Sequence, residues 1–236
     1  MRNTWAITEK EIKSYFSSPL AYVIIAAFLV ATGYFFSAIL LLSRQATMRY
    51  IFDNMAVILL LLSPILTMRL LAEEQRTGTI EVLLTGPVRD IEVVLGKFLA
   101  SLIFLIIMLG LTLYFPLLLT RVGNPDPGPI LTGYVGLILF GASFLAVGLL
   151  MSSLTQNQIV AAVLTFVTLL ILWTIDASSN IFSGSAGGVL QYLALAGHYA
   201  DFGKGVIDTK DVVYYLSLVA TGLFLTTRSL EARRWR

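Results

Sequence analysis

The chain of 236 residues has no cysteine and a single histidine. Without cysteine there is no disulfide framework, no thiolate chemistry and no cysteine-based metal site. One histidine excludes a multi-histidine site within one chain. Charge is scarce too: 13% of residues are Asp, Glu, Lys or Arg, where a soluble globular domain carries roughly 25%. Apolar residues make up 57% of the chain, and the mean hydropathy is +0.85. A soluble core of this size cannot hide that much apolar surface. An ordinary cytosolic enzyme, a disordered chain and a nucleic-acid binder are thereby excluded. What remains is an integral membrane protein of one compact domain, residues 1–236.

Apolar runs long enough to cross a bilayer as helices occur at 20–43, 55–71, 97–120, 130–152 and 158–175. A shorter one covers 212–227. A helical crossing needs about 20 residues, so the last run reaches that length only by borrowing polar neighbours. The expectation is an all-α polytopic protein with six transmembrane helices. Membrane β-strands would require period-two alternation, which these runs lack. The 16 Lys and Arg residues orient the spans. With the N-terminus inside, Arg2, Lys10, Lys13, Arg69, Arg76, Arg89, Lys97, Arg228, Arg233, Arg234 and Arg236 are cytoplasmic, and only Arg44, Arg49, Arg121, Lys204 and Lys210 are outside. Both termini are therefore expected in the cytoplasm.

The N-terminus does not read as a cleavable signal, because 19 mostly polar residues precede an apolar run too long for an h-region. Within 1–19, a helical wheel gathers Trp5, Thr8, Ile12, Tyr15 and Phe16 on one face, and Pro19 ends the run. The pattern predicts a short amphipathic helix lying in the inner interface. The outer loop 177–210 holds six glycines that argue against one regular helix, yet VLQYLALA at 189–196 fits a half-helix dipping into the outer leaflet.

The central portions of the spans contain no ionisable residue; Arg44, Arg69, Lys97 and Asp176 stand at their ends. Ion-coupled transporters and voltage sensors carry intramembrane charge, so uphill movement here would need energy from outside the bilayer. Gly96-Lys97-Phe98 and Gly203-Lys204-Gly205 lack the glycine-rich phosphate cradle of a nucleotide site. An intramembrane serine protease would place its nucleophile at Gly141-Ala142-Ser143, but the lone His198 lies in the outer loop. Gly141, Ala142, Ala146 and Gly148 read more simply as small packing positions between helices. No catalytic, metal-binding or cofactor-binding residue is expected.

The densest charge near the membrane is the cytoplasmic stretch RLLAEEQRTGTIEVLLTGPVRDIEVVLGK at 69–97. It reads as a helix end at Glu73 and Glu74, a turn at Thr77-Gly78, a short helix 79–85 stopped by Gly86-Pro87, and a new helix from Asp90. Ile80, Leu83 and Leu84 share one side of the short helix. A two-turn helix with an apolar face is not stable alone and must pack on the protein, the bilayer or a partner. Glu73 and Glu74 are placed to pair with Arg76 or with a basic residue of a partner.

This stretch resembles the signature of the type-two class of ABC exporter permeases, carried by Glu73-Glu74, Arg76, Gly78-Thr79, Glu81, Leu83-Leu84, Pro87 and Gly96-Lys97 in order and spacing. KEIKSYFSSPLAYV at 10–23 resembles the family's entry segment, and HYADFGKGVIDTKDVVYYLSL at 198–218 its outer loop and last span. The combination is most similar to the branch of gliding-motility and copper-site-maturation permeases. Gly86 stands where the family usually has Ala or Ser. The resemblance implies a multi-pass subunit of the prokaryotic cytoplasmic (inner) membrane, with an interfacial N-terminal helix and a cytosolic coupling loop, 72–96. Glu73, Glu74, Arg76, Gly78, Thr79, Ile80, Glu81, Leu83, Leu84 and Pro87 would engage a separate ABC ATPase subunit carrying ATP and magnesium. A second permease copy, identical or related, and an accessory outer-side protein are further implied partners. The chain itself would be non-catalytic, an exporter subunit or, in a different class, a non-transporting anchor of an ATPase-driven machine.

Overall fold

The computed structural model describes residues 2–43, 47–79, 88–179, 192 and 194–234. Among them every regular element is helical. The helices are α1 (Arg2–Ser17), α2 (Pro19–Ser43), α3 (Arg49–Thr67), α4 (Ala72–Thr77), α5 (Asp90–Leu111), α6 (Tyr114–Val122), α7 (Pro127–Leu154), α8 (Gln158–Ser179), α9 (Leu195–Tyr199) and α10 (Thr209–Arg234), with a 3-10 turn at Phe202–Lys204.

Local chemistry sets the boundaries. Pro19, whose missing N–H costs nothing at a first helical position, opens α2 after a one-residue bend at Ser18. Asp126 caps α7 by accepting from the Gly128 N–H at 3.0 Å. The Asn157 side chain caps α8, accepting from the Ile159 N–H at 2.9 Å. Gly78, with φ +72°, ends α4 in the left-handed conformation that glycine tolerates best. Two helices break short of their full length: α3 gives way to turns at 68–71, where Arg69 and then the charged α4 end the apolar run, and α5 to turns at 112–113, inside a continuous apolar run, before α6.

Five stretches are long and apolar enough to cross a membrane: Pro19–Leu42, Arg49–Thr77, Asp90–Arg121, Pro127–Leu154 and Gln158–Ile175. Each expected span is thus a helix, but the second begins at Arg49 rather than 55 and the third at Asp90 rather than 97. The sixth run lies in α10, a 26-residue helix long enough to cross but less apolar than these five, because hydroxyls, tyrosines and end charges dilute its apolar residues.

The bundle is built around α7, which packs on α3, α5, α8 and α10. Some 72% of its apolar stretch is buried, against 22% for α2 and 17% for α8, which leave most of their surface outside. Close approach is made by small residues. A Cβ on Gly148 would sit 2.2 Å from the Thr67 hydroxyl, and one on Gly141 2.5 Å from Leu105. Gly222 of α10 meets Ala146 in the same way at 3.1 Å. The cavity between α2, α3, α5 and α7 measures about 10 Å³, too small for more than a single water.

The far end of the bundle is aromatic. Phe140 packs within 6.0 Å, centroid to centroid, of Phe144, Trp173, Tyr199 and Tyr215. His198 stacks on Tyr214 at 4.0 Å and lies 2.6 Å from a carboxylate oxygen of Asp211. The half-helix expected at 189–196 falls partly outside the described residues; at its end, from Leu195, the chain forms the five-residue α9.

Candidate functional site

At the opposite end three helices meet on one charge. Lys97 sits two turns into α5, with 2% of its side chain exposed. Its ammonium donates to Glu11 Oε1 of α1 at 3.0 Å and to Glu74 Oε1 of α4 at 2.8 Å. Both carboxylates are largely buried, at 14% and 17% exposure. A charge this enclosed is tolerated only when paired and hydrogen-bonded. The second oxygen of Glu74 is buried and has no hydrogen-bond partner, so the cation is the main compensation for that carboxylate.

The neighbouring residue makes the geometry possible. A Cβ on Gly96 would lie 2.7 Å from Ile7 of α1, so only glycine lets α1 approach α5 this closely. The Thr8 hydroxyl is shared between the carbonyls of Thr4, at 2.9 Å, and Gly96, at 3.1 Å. Two turns further along, Tyr15 stacks on Phe104 of α5 at 5.3 Å, and Phe16 lies 5.9 Å from the same ring. The Tyr15 hydroxyl donates to the Leu66 carbonyl at 3.2 Å. Burial, and secondly the nearby Glu11 carboxylate, push this hydroxyl far above its ordinary value, which keeps it a neutral donor.

α4 is fastened from its other side by α7. The Ser152 hydroxyl accepts from the Leu71 and Ala72 N–H groups, at 3.1 and 3.0 Å, and donates to Met68 O at 3.2 Å. It therefore satisfies donors that the start of α4 leaves without an intrahelical partner. Gln75 adds a buried bond to the Ser153 carbonyl at 2.9 Å. Between α1, α2, α3 and α4 a cavity of about 390 Å³ opens beside Lys97, lined by the charged Glu11, Arg69, Glu73 and Glu74 and by apolar residues such as Leu20 and Ile24.

The structure redistributes the expected ion pairs. Neither glutamate pairs with Arg76. Glu74 turns inward to Lys97, and Glu73 lies 3.9 Å from Arg69, four residues back in the turn that precedes α4. The physical reason is burial: Lys97 is enclosed and needs a carboxylate, whereas Arg76 is exposed and does not. Gly78 ends α4, and the Thr77 and Thr79 hydroxyls lie 3.0 Å apart beside it. Ile80, Glu81, Leu83, Leu84 and Pro87, and with them the short helix expected at 79–85 beyond Thr79, lie outside the described residues.

The N-terminal segment is helical, and the residues gathered on one face by the wheel divide between protein contact and exposure. Thr8 is fully buried, Tyr15 and Phe16 pack on α5, and Ile12 is half-buried, whereas Trp5 is 63% exposed. Ser143 is a packing residue: its buried hydroxyl donates to the Phe140 carbonyl at 2.6 Å.

A family model described as ABC-2 family transporter protein matches residues 42–194, well over half of the chain. The chain belongs to the ABC-2 transporter family. It is accordingly the membrane-embedded, multi-pass permease part of an ABC transporter. No curated protein matches it. The ABC-2 match takes in α3 to α8, and therefore Glu74, Gly96, Lys97 and Ser152; Glu11 precedes it. Reading the sequence for charge found Glu74 as a surface residue and Gly96-Lys97 as part of a signature, but missed Glu11 and the junction itself. A lysine beside a glycine, at the start of an otherwise uncharged span, is the signal that was available.

Proposed function

We propose that this ABC-2 chain is the non-catalytic permease subunit of an exporter powered by a separate ABC ATPase, which docks at the Lys97 end and carries the ATP and magnesium. The observation that carries this reading is the fastening of α4. The segment that leads into the coupling stretch is tied through Lys97 to α1 and α5 and through Ser152 to α7. A push delivered at 73–79 therefore reaches three spans and the N-terminal helix at once. The residues expected to make the contact are Ile80, Leu83 and Leu84, whose spacing gives one apolar side.

On this reading the Lys97 end faces the cytoplasm of a prokaryotic inner membrane, in keeping with the basic residues concentrated there, and α10 makes a sixth crossing. A second permease copy packs against the largely uncovered flanks of α2 and α8. The sequence features at 10–23 and 198–218 favour the gliding-motility and copper-site-maturation branch.

The test is purification of the tagged, full-length chain from its native membrane, with the co-purifying proteins identified by mass spectrometry. An ABC ATPase should accompany the wild type, and ATP hydrolysis should require it. Burial of one leucine contributes about 1.5–3 kcal/mol, so Leu84→Asp should reduce retention of the ATPase roughly tenfold or more while membrane insertion is unchanged. ATP hydrolysis by the isolated chain, or undiminished retention by Leu84→Asp, counts against the reading.

A further inference from the structure

We propose that the turn between α7 and α8, together with Arg76 of α4, forms a second contact for the ATPase subunit and receives an acidic side chain of that partner. This rests on the reading that an ATPase docks at this end of the chain.

Three observations converge on the turn. First, Arg76 is exposed in the last turn of α4 and meets no carboxylate among the described residues. Its two acidic neighbours are committed elsewhere, Glu73 toward Arg69 and Glu74 to Lys97. Second, Arg76 forms one wall of a groove of about 490 Å³ whose other wall is Gln156, Asn157, Gln158 and Ile159. The turn is preorganised. The Thr155 hydroxyl accepts from the Asn157 N–H at 3.1 Å, and the Asn157 side-chain oxygen Oδ1 is spent capping α8. The side chains of Gln156 and Gln158 hold no hydrogen bond among the described residues, and Ile159 is 73% exposed. A free guanidinium, two free amides and one apolar side chain match a protein surface that offers a carboxylate with its hydrogen-bond acceptors. Third, the two walls are joined beneath the groove. Gln75, next to Arg76, bonds the Ser153 carbonyl, and Ser152 bonds the start of α4. A partner that grips the turn therefore also grips α4.

A lipid phosphate could meet Arg76 as well. The groove disfavours it, because its remaining polar groups are neutral amides and it is continuous with the segment that enters the coupling stretch.

The absence of native cysteine makes a single introduced thiol unique. Gln156→Cys, labelled with a thiol-attached benzophenone, would be irradiated in the full-length permease co-purified with its ATPase, and the adduct mapped by peptide mass spectrometry. Val206→Cys, at the aromatic end, is the control. The expected result is an adduct from Gln156→Cys to an ATPase segment containing Asp or Glu, and none from Val206→Cys. Arg76→Glu should lower ATPase retention about tenfold, and reversing the mapped acidic residue to lysine should restore it. If the wild type retains its ATPase but the Gln156→Cys adduct lies on lipid or on the permease itself, the second contact is refuted and the docking reading stands. If no ABC ATPase accompanies the wild type, both fall together.

Discussion

Replacing Lys97 by methionine keeps an unbranched chain one atom shorter and removes the cation. Glu11 and Glu74 would then face each other unpaired. Each has an oxygen within 3.0 Å of the ammonium, so these oxygens stand no more than roughly 6 Å apart, and two like charges at that distance repel by about 3 kcal/mol at an effective dielectric near 20. The value agrees with the roughly 3–5 kcal/mol lost when one partner of a buried ion pair is removed. The 14% and 17% exposure of the two carboxylates lets water screen part of this, which brings the expected loss to about 2–3 kcal/mol. On the scale of a soluble domain of this length, that lowers the apparent Tm by roughly 5–10 °C. The assay is thermal unfolding of the detergent-solubilised chain, followed by the fraction that stays monodisperse on size exclusion. The decisive comparison is the triple variant Lys97→Met, Glu11→Gln, Glu74→Gln. It removes the repulsion along with the attraction and should recover more than half of the loss, because exchanging a whole buried ion cluster for neutral groups is often close to neutral. A single variant that melts within about 1 °C of wild type, on the same scale, would refute the junction. So would a triple variant no better than the single one, since lost packing rather than charge would then explain the defect.

Ser152→Ala should strand the buried N–H groups of Leu71 and Ala72 at about 1–3 kcal/mol apiece. Amide exchange at those two positions should rise, and unchanged protection would remove Ser152 from the account. Gly148→Val should abolish folded yield, because its first side-chain carbon would already overlap Thr67. Gly110→Ala, with nothing within 4 Å of the added carbon, should express at wild-type level, and equal behaviour of the two variants would contradict the packing of α3 on α7. For the topology, an impermeant thiol reagent applied to sealed cells should label Val206→Cys and leave Arg234→Cys untouched until the membrane is opened. The reverse pattern would invert the orientation.

Helix existence was legible because apolar runs of membrane length have few alternatives to a helix in lipid. Their breaks were less so. The turn at 112–113 interrupts a chain of apolar residues whose hydropathy does not change, whereas the one at 68–71 coincides with Arg69 and the charges that follow it. The face of α1 was legible only in part. A wheel sorts residues by affinity for water and does not say which of them meet protein; Thr8, Tyr15 and Phe16 pack on α5 in the gap that Gly96 leaves, while Trp5 stays exposed. The pairing of Glu74 was out of reach of local reasoning. Its cation stands 23 residues on and the second carboxylate 86 residues from Lys97, so no spacing rule links them. Arg76 was the nearer partner in sequence and the wrong one in space.

The solid middle of the bundle bears on gene dosage. α7 fills the axis of the chain, and the cavity beside it has room for no more than a water. On the proposed reading cargo travels along a flank, where a second copy supplies the other bank of the channel. Two copies then share each route, and a defective allele does more than halve output. In cells expressing equal amounts of wild-type chain and Lys97→Met, random pairing leaves a quarter of the routes with two sound walls, so the variant should behave as a dominant poison rather than a silent recessive.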